Sequence, residues 1–287
     1  MPDPAAMPDK PRSRRPKGSD RVPVLPPGVP YLLQALNNDN LTFFQIARAI
    51  EHVPSVAARL LALANSAWSA PASPVTSIEA ACSRLGMRVV RSASIALAIS
   101  QPFNPARCPP FHGATFWGSA LLNAEAAAWL ADKVLRDQRA TARTAGLLRN
   151  FGLVWLADTM PVETGLALTA VQDGPPGRLD HALEQHCGLG YTEAGALLAD
   201  AWLLPAALRD AIGDQGRGAA HAAPLNQVVN AACKMVGAVR RDLEWSKPDR
   251  GLLKLGLEMP VQCVGIEYLR AVQQRTVAMA EALFAGC

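Results

Sequence analysis

The sequence lacks the paired cysteines that a structural zinc site would require. Its 287 residues include six cysteines, and none of them forms a CxxC pair or another zinc-knuckle spacing. They are Cys82, Cys108, Cys187, Cys233, Cys263 and Cys287. We therefore predict reduced thiols, mostly buried, in a cytoplasmic protein.

Long hydrophobic runs are also missing. The basic N-terminus has no apolar segment behind it, which argues against a secretory signal, and no stretch is long enough to cross a bilayer. Residues 1–20 are rich in proline and basic side chains with little to bury, so we expect a disordered tail. The sequence predicts a soluble protein with no membrane association.

An excess of positive charge is absent from most of the chain. The net charge is +4, but residues 1–21 alone hold six basic and three acidic side chains, which leaves +1 for the remainder. Binding to a phosphate backbone needs a broad basic surface, and a short basic tail gives only weak, salt-sensitive attraction. Nucleic acid is therefore not an expected partner.

The rest of the chain shows helical patterns of apolar residues. No run of alternating β-branched residues indicates a competing strand. The segment FFQIARAI at 43–50 places its apolar residues on one helical face, and Pro54 suits the first turn of the next helix. Thr76 and Glu79 have the spacing of a capping box for a helix at 77–85, which Gly86 closes. Further predicted helices span 87–100, 114–135, 139–149, 161–171, 179–187, 192–202, 205–212, 224–243 and 260–285. The predicted fold class is all-α, with a domain boundary near residue 216.

Residues that could carry catalysis are few and scattered. In HALEQHC, His181, Glu184 and Cys187 share a helical face, but ligands from one helix leave a metal site incomplete, so we favour a structural interpretation. Cys187 and His186 are adjacent, and adjacent helical residues point about 100° apart, so this pair is poorly placed to act as nucleophile and base. Neither a strained serine elbow nor a glycine-rich phosphate loop is present. The residues predict no catalytic set and no cofactor.

The tryptophans fall into two groups. Five lie at helical spacing in apolar segments and are expected in the core. These are Trp68, Trp117, Trp129, Trp155 and Trp202. Trp245, in DLEWSKPD, is the better candidate for an exposed contact.

Several motifs stand in a characteristic order. LPPGVPYLL at 25–33 is followed by RLLALANSA at 59–67, SIEAACSRLGMR at 77–88, GLLRNFG at 146–152 and GALLADAWLLP at 195–205. This order resembles the HDOD domain, the HD-related output domain of bacterial signalling proteins. The resemblance runs from about Leu25 to Gln215 and implies a multi-helix, HD-like bundle over residues 21–215. Residues 216–287 would then form a C-terminal helical extension that packs on the domain or on a partner.

The resemblance also implies where a metal would bind. Catalytic HD proteins hold metal through scattered histidines and a His-Asp doublet, where related sequences often have GLLHDIG and this chain has Arg149 and Asn150. Arginine cannot ligate a cation, and asparagine lacks an anionic oxygen. The other expected ligand places fall on Gly118, Tyr191, Asp214 and Gln215, of which only Asp214 could bind metal well. A vestigial site with neither metal nor hydrolysis is therefore expected.

Two interpretations of Arg149 stay open. It could bind an anion, such as a nucleotide phosphate, in the old cleft, because guanidinium suits phosphate. We favour the alternative, in which Arg149 replaces lost ligand contacts by pairing with Asp214 or capping carbonyls. Other motif residues are expected to be structural, namely Asn65, Ser66, Gly86, Trp202 and Pro205.

These observations predict a non-catalytic signal-transduction module that acts by protein–protein interaction. A protein partner is expected, a small anionic messenger is a further candidate ligand, and the C-terminal helices could form a homodimer face. The first alternative is an HD-type phosphohydrolase with replaced ligands, such as His181, His186, Glu184 or Asp214. The second is a nucleic-acid-associated regulator that uses the basic tail.

Overall fold

Helices make up all the regular structure in a computed structural model that describes residues 22–171, 176–213 and 223–284. No strand occurs in those ranges, so the all-α prediction is confirmed. The predicted tail at 1–20, the predicted boundary near 216 and Cys287 lie outside the described residues. None of the described helices is both long and apolar enough to cross a membrane.

The N-terminal part consists of five helices. They are α1 (Val29–Leu36), α2 (Phe43–Glu51), α3 (Pro54–Ala64), α4 (Ile78–Leu85) and α5 (Met87–Ser100). Thr42 and Gln45 form a capping box at the start of α2, and Pro54 occupies the first turn of α3. The predicted capping box of Thr76 and Glu79 is wrong: Ser77, one residue later, accepts a hydrogen bond from the Ala80 amide at 3.1 Å.

The central part is built around one long buried helix. It comprises α6 (Gly113–Val134), α7 (Arg139–Leu148), α8 (Gly152–Thr159), α9 (Pro161–Ala170), α10 (Pro176–Cys187), α11 (Tyr191–Ala201) and α12 (Ala206–Gly213). Short 3-10 turns at Pro105–Arg107 and Arg136–Gln138 precede α6 and α7. Helix α6 is apolar on nearly all sides, as expected of a helix surrounded by others.

Three C-terminal helices complete the fold: the first and the third pack against α6, and the second packs against the first. They are α13 (Pro224–Arg240), α14 (Arg250–Lys254) and α15 (Met259–Phe284). Buried residues of all three share one hydrophobic cluster with α6, α7 and α12, while the C-terminal end of α15, from Met279 to Phe284, belongs to the larger core. Helix α15 also reaches the N-terminal part, where the indole of Trp68 donates a hydrogen bond to the Arg275 carbonyl at 2.9 Å. The C-terminal helices therefore belong to the same packed body as the rest of the described chain.

Candidate functional site

The turn between α7 and α8 holds Arg149 and Asn150 between two closely packed glycines. A Cβ added at Gly146 would lie 2.6 Å from the Asn123 carbonyl oxygen on α6. A Cβ added at Gly152 would lie 2.1 Å from the Tyr191 carbonyl oxygen on α11. Both glycines therefore permit backbone contacts that a larger residue would prevent, and the turn is fixed between α6 and α11.

Beside this turn lies a cavity of about 510 Å³, which we call the α13 cavity because α13 forms one of its walls. Asn123 from α6, Asn150 from the turn and Tyr191 from α11 line it. The α13 wall runs from Cys233 to Arg241, the residue that follows α13. The structure thus brings Asn150 and Tyr191 together in one cavity.

Two amide side chains of the α13 cavity have an oxygen with no hydrogen-bond partner in the described structure. Asn123 is 3% exposed, and its Oδ1 has no hydrogen-bond partner among the described residues. The same holds for Oδ1 of Asn150, whose side chain is half-buried. A buried acceptor without a partner destabilises a fold by about 1–3 kcal/mol. A bound molecule with hydrogen-bond donors would relieve that penalty.

Tyr191 contributes a neutral phenol to the cavity. Burial raises the pKa of the Tyr191 hydroxyl well above its ordinary value, and Cys233 and Asp180 raise it further. The nearby positive charge of Arg149 opposes this rise in the pKa. Tyr191 is therefore protonated at neutral pH and offers a hydroxyl, which is a poor ligand for a divalent cation.

The charge of the α13 cavity is positive. Its described lining contains Arg240 and Arg241 and no carboxylate. Arg240 donates a hydrogen bond to the Ser119 hydroxyl on α6, and the Arg241 Nε donates to the Gly237 carbonyl at 3.0 Å. A cavity with two guanidinium groups and no acidic side chain favours anions over metal cations.

The places of the family's metal ligands do not fit a divalent metal. Arg149 is buried, and the other described places hold glycine, asparagine and tyrosine. Gly118 is not part of the cavity lining: a Cβ there would lie 3.6 Å from Val277 and 3.7 Å from Ala280, both on α15. Asp214 and Gln215 lie outside the described residues.

The HALEQHC motif does not assemble a metal site either. His181 and Glu184 are exposed, with the His181 Nδ1 3.7 Å from the Glu184 carboxylate. Cys187 is buried, and its thiol lies 3.6 Å from the Thr164 hydroxyl. Within the described part of the chain, no three His, Cys, Asp or Glu side chains form a group that could hold a metal ion.

The remaining motif residues fix turns and line a second groove. Asn65 ends α3 and exchanges two hydrogen bonds with the Val75 backbone, each 2.8 Å. The Ser66 hydroxyl donates to the Leu63 carbonyl at 2.7 Å. Gly86 joins α4 to α5 with a φ of 81°, in the left-handed region that favours glycine.

Trp202 and Pro205 line this second groove, which has a volume of about 900 Å³. Two acidic side chains in its wall, Asp39 and Asp132, both pair with Arg139, at 3.6 and 4.0 Å. The Trp202 indole donates to the Pro23 carbonyl at 2.7 Å. Since these polar groups already have partners, the smaller α13 cavity is the stronger candidate site.

Several residues of the α13 cavity were not singled out from the sequence. Asn123 is the one amide in the apolar stretch ALLNAEAAAWLA, and that isolation is a signal that could have identified it. Arg240 and Arg241 gave no such signal, because basic residues at a helix end are usually solvated.

Trp245 was predicted to be exposed, but it is half-buried and its indole donates to Gln262 at 3.2 Å.

Comparison with known proteins identifies relatives of this fold. The sequence profile of the HDOD domain matches residues 22–217. A candidate phosphohydrolase from Shewanella amazonensis SB2B is similar, with 25% identity, a TM-score of 0.68 and coverage of 92% of this chain and 96% of that one. No curated protein matches the sequence.

Two further crystal structures are similar in fold. A candidate signal transduction protein from Marinobacter aquaeolei VT8 has 24% identity and a TM-score of 0.75, over 91% of this chain and 59% of that one. An HDOD domain protein with unknown function from Geobacter sulfurreducens has 22% identity and a TM-score of 0.64, over 92% and 94%.

Proposed function

Because the chain belongs to the HDOD domain family, we propose that it is a non-catalytic regulatory module of bacterial signal transduction that acts by binding another protein. The observation that carries this proposal is the chemistry of the α13 cavity. Its described lining holds two arginines and no carboxylate, and it includes Asn150 and Tyr191, two of the places where the resemblance puts metal ligands.

Electrostatics supports the non-catalytic role. A metal that activates water is itself a dication, and it is held by anionic or imidazole ligands. Here Asn150 and Tyr191 supply neutral oxygens, and Arg149 places a positive charge close to Tyr191. Positive charge next to the site opposes the binding of a cation. The similar structures carry both phosphohydrolase and signal-transduction names, and the side chains of the α13 cavity are what favour the signalling role in this proposal.

The test is metal content combined with hydrolysis. The chain is purified without chelator, analysed for iron, manganese, zinc and magnesium, and assayed with bis(4-nitrophenyl) phosphate in the presence of each metal. We expect no stoichiometric metal and no hydrolysis. Asn150→Asp serves as the matched variant, because it restores one carboxylate and should still be inactive beside the arginines. One metal ion per chain, with hydrolysis that disappears in Asn150→Ala, would establish a phosphohydrolase with replaced ligands.

A second measurement addresses the partner. Cross-linking in cells should yield a specific protein adduct that persists when residues 1–21 are deleted. An adduct with nucleic acid that is lost on this deletion and weakens steeply with salt would instead support the nucleic-acid alternative.

A further inference from the structure

We propose that the α13 cavity is a binding site for a small organic anion, with an apolar ring held by its walls and a phosphate or carboxylate held by Arg240 and Arg241. This goes beyond the regulatory role and does not depend on it. Residues 233–241 lie outside the match to the HDOD domain, so part of this site is supplied by the C-terminal extension.

The size and walls of the cavity suit a ring. Its volume of about 510 Å³ falls in the usual range of small-molecule pockets, which is about 300–1,000 Å³. Aromatic and aliphatic side chains form much of the wall, including Phe111, Phe116, Leu147 and Leu153. An apolar ring placed there would itself leave water and would contact these largely buried side chains.

The polar groups are placed to orient such a molecule. Asn123 is 3% exposed and lines the cavity, with an Oδ1 that has no hydrogen-bond partner in the described structure. Asn150 also lines the cavity, and its Oδ1 likewise has no hydrogen-bond partner in the described structure. A ligand that donates hydrogen bonds would therefore satisfy groups that the protein leaves unsatisfied, which gives selectivity as well as affinity.

The arginines define the charge of the ligand. Arg240 and Arg241 both line the cavity where α13 ends, and guanidinium groups bind phosphate and carboxylate through paired hydrogen bonds. The acidic residue next in sequence, Asp242, lies 3.6 Å from Arg270 and does not line the cavity. Ser119, already bonded to Arg240, connects this anion-binding end to α6.

Isothermal titration calorimetry of the full chain with 5-amino-1-naphthyl phosphate and 5-amino-1-naphthoate tests the site, in chelator-containing buffer, because each probe joins an anion to a ring that carries a hydrogen-bond donor. We expect saturable binding of one molecule per chain for at least one of these probes, at least tenfold tighter than inorganic phosphate or 5-amino-1-naphthol, on the order of a 1.4 kcal/mol difference. Comparison of the two anions distinguishes a phosphate from a carboxylate ligand.

Variants locate the site. Arg240→Gln should weaken binding roughly tenfold because it removes a charged contact with the anion at the exposed end of the cavity, and Asn123→Leu should do so because it removes a polar contact in the buried part. Arg250→Gln is the matched control, since Arg250 is exposed on α14 and does not line the cavity. Arg241→Gln provides a second surface variant in case Asn123→Leu fails to fold.

Three results would overturn the proposal. The first is the absence of saturable heat at ligand concentrations on the order of 1 mM. The second is inorganic phosphate that binds as tightly as the naphthyl probes. The third is an equal loss of binding affinity in Arg240→Gln and Arg250→Gln. Failure of this experiment leaves the metal and hydrolysis results unchanged, so it is distinguishable from failure of the proposed function.

Discussion

Gly152→Ala tests whether the helix packing around the Arg149–Asn150 turn is as close as the structure indicates. The added Cβ would lie 2.1 Å from the Tyr191 carbonyl oxygen, 2.5 Å from the Gly195 nitrogen and 2.8 Å from the Ala194 Cβ. The two nearest atoms belong to the backbone of α11, so no side-chain rotation can relieve the clash. Helices α8 and α11 must move apart to accept the methyl group.

The magnitude follows from this geometry. Non-bonded heavy atoms normally approach to about 3.5 Å, so the helices must separate by about 1 Å or more. Overpacking a core typically costs about 1–3 kcal/mol, and we expect the upper end of that range because backbone atoms must move. A loss of about 3 kcal/mol in the free energy of unfolding lowers the Tm of a chain of this size by roughly 6–12 °C.

Gly118→Ala is the matched control for thermal unfolding followed by circular dichroism at 222 nm. A Cβ at Gly118 meets its nearest neighbour, Val277, at 3.6 Å, which is an ordinary contact. Alanine is the better helix former by about 0.5–1 kcal/mol, so this variant should melt at or above the wild-type temperature. Wild-type melting of Gly152→Ala, or an equal loss in both variants, would refute the packing argument.

Three further predictions concern individual side chains outside the lining of the α13 cavity. The Asp249 carboxylate caps α14 and lies 2.6 Å from the Lys234 Nζ. Asp249→Ala should therefore lower the free energy of unfolding by about 1–2 kcal/mol, measured by urea titration. An unchanged urea midpoint would contradict this. Burial, with the negative charge of Glu125, raises the pKa of Tyr268 to about 12. The unfolded chain releases that proton first, so the stability present below pH 10 is lost between about pH 10 and 12, and the Tm of Tyr268→Phe should fall less steeply there than that of the wild type. Burial and two nearby glutamates raise the pKa of Cys82 to about 11. Iodoacetamide at about pH 8 should therefore modify the half-buried Cys233 before Cys82. Equal alkylation rates of the two cysteines, measured by peptide mass spectrometry, would contradict the burial of Cys82.

The helices with a clear periodicity and clear end signals could be predicted from the sequence. The predicted helix at 87–100 is found as Met87–Ser100, and that at 139–149 as Arg139–Leu148. Helix α8 was missed because it is buried on nearly all sides and so shows little alternation of polar and apolar residues. The short helices α1 and α14 were also missed, since eight and five residues give a weak periodic signal.

The sequence by itself determined the all-helical class and the family, because helix periodicity and ordered motifs are local properties of the chain. The resemblance read from the sequence also predicts that Arg149 and Asn150 stand where catalytic HD proteins have a His-Asp doublet. Only the tertiary structure decided which polar side chains meet. Asn123, Asn150, Tyr191 and Arg240 come from α6, the turn, α11 and α13, and no local rule relates segments so far apart in sequence. Their convergence depends on how the helices pack, which is set by close backbone contacts such as that at Gly152 and by the burial of α13 against α6.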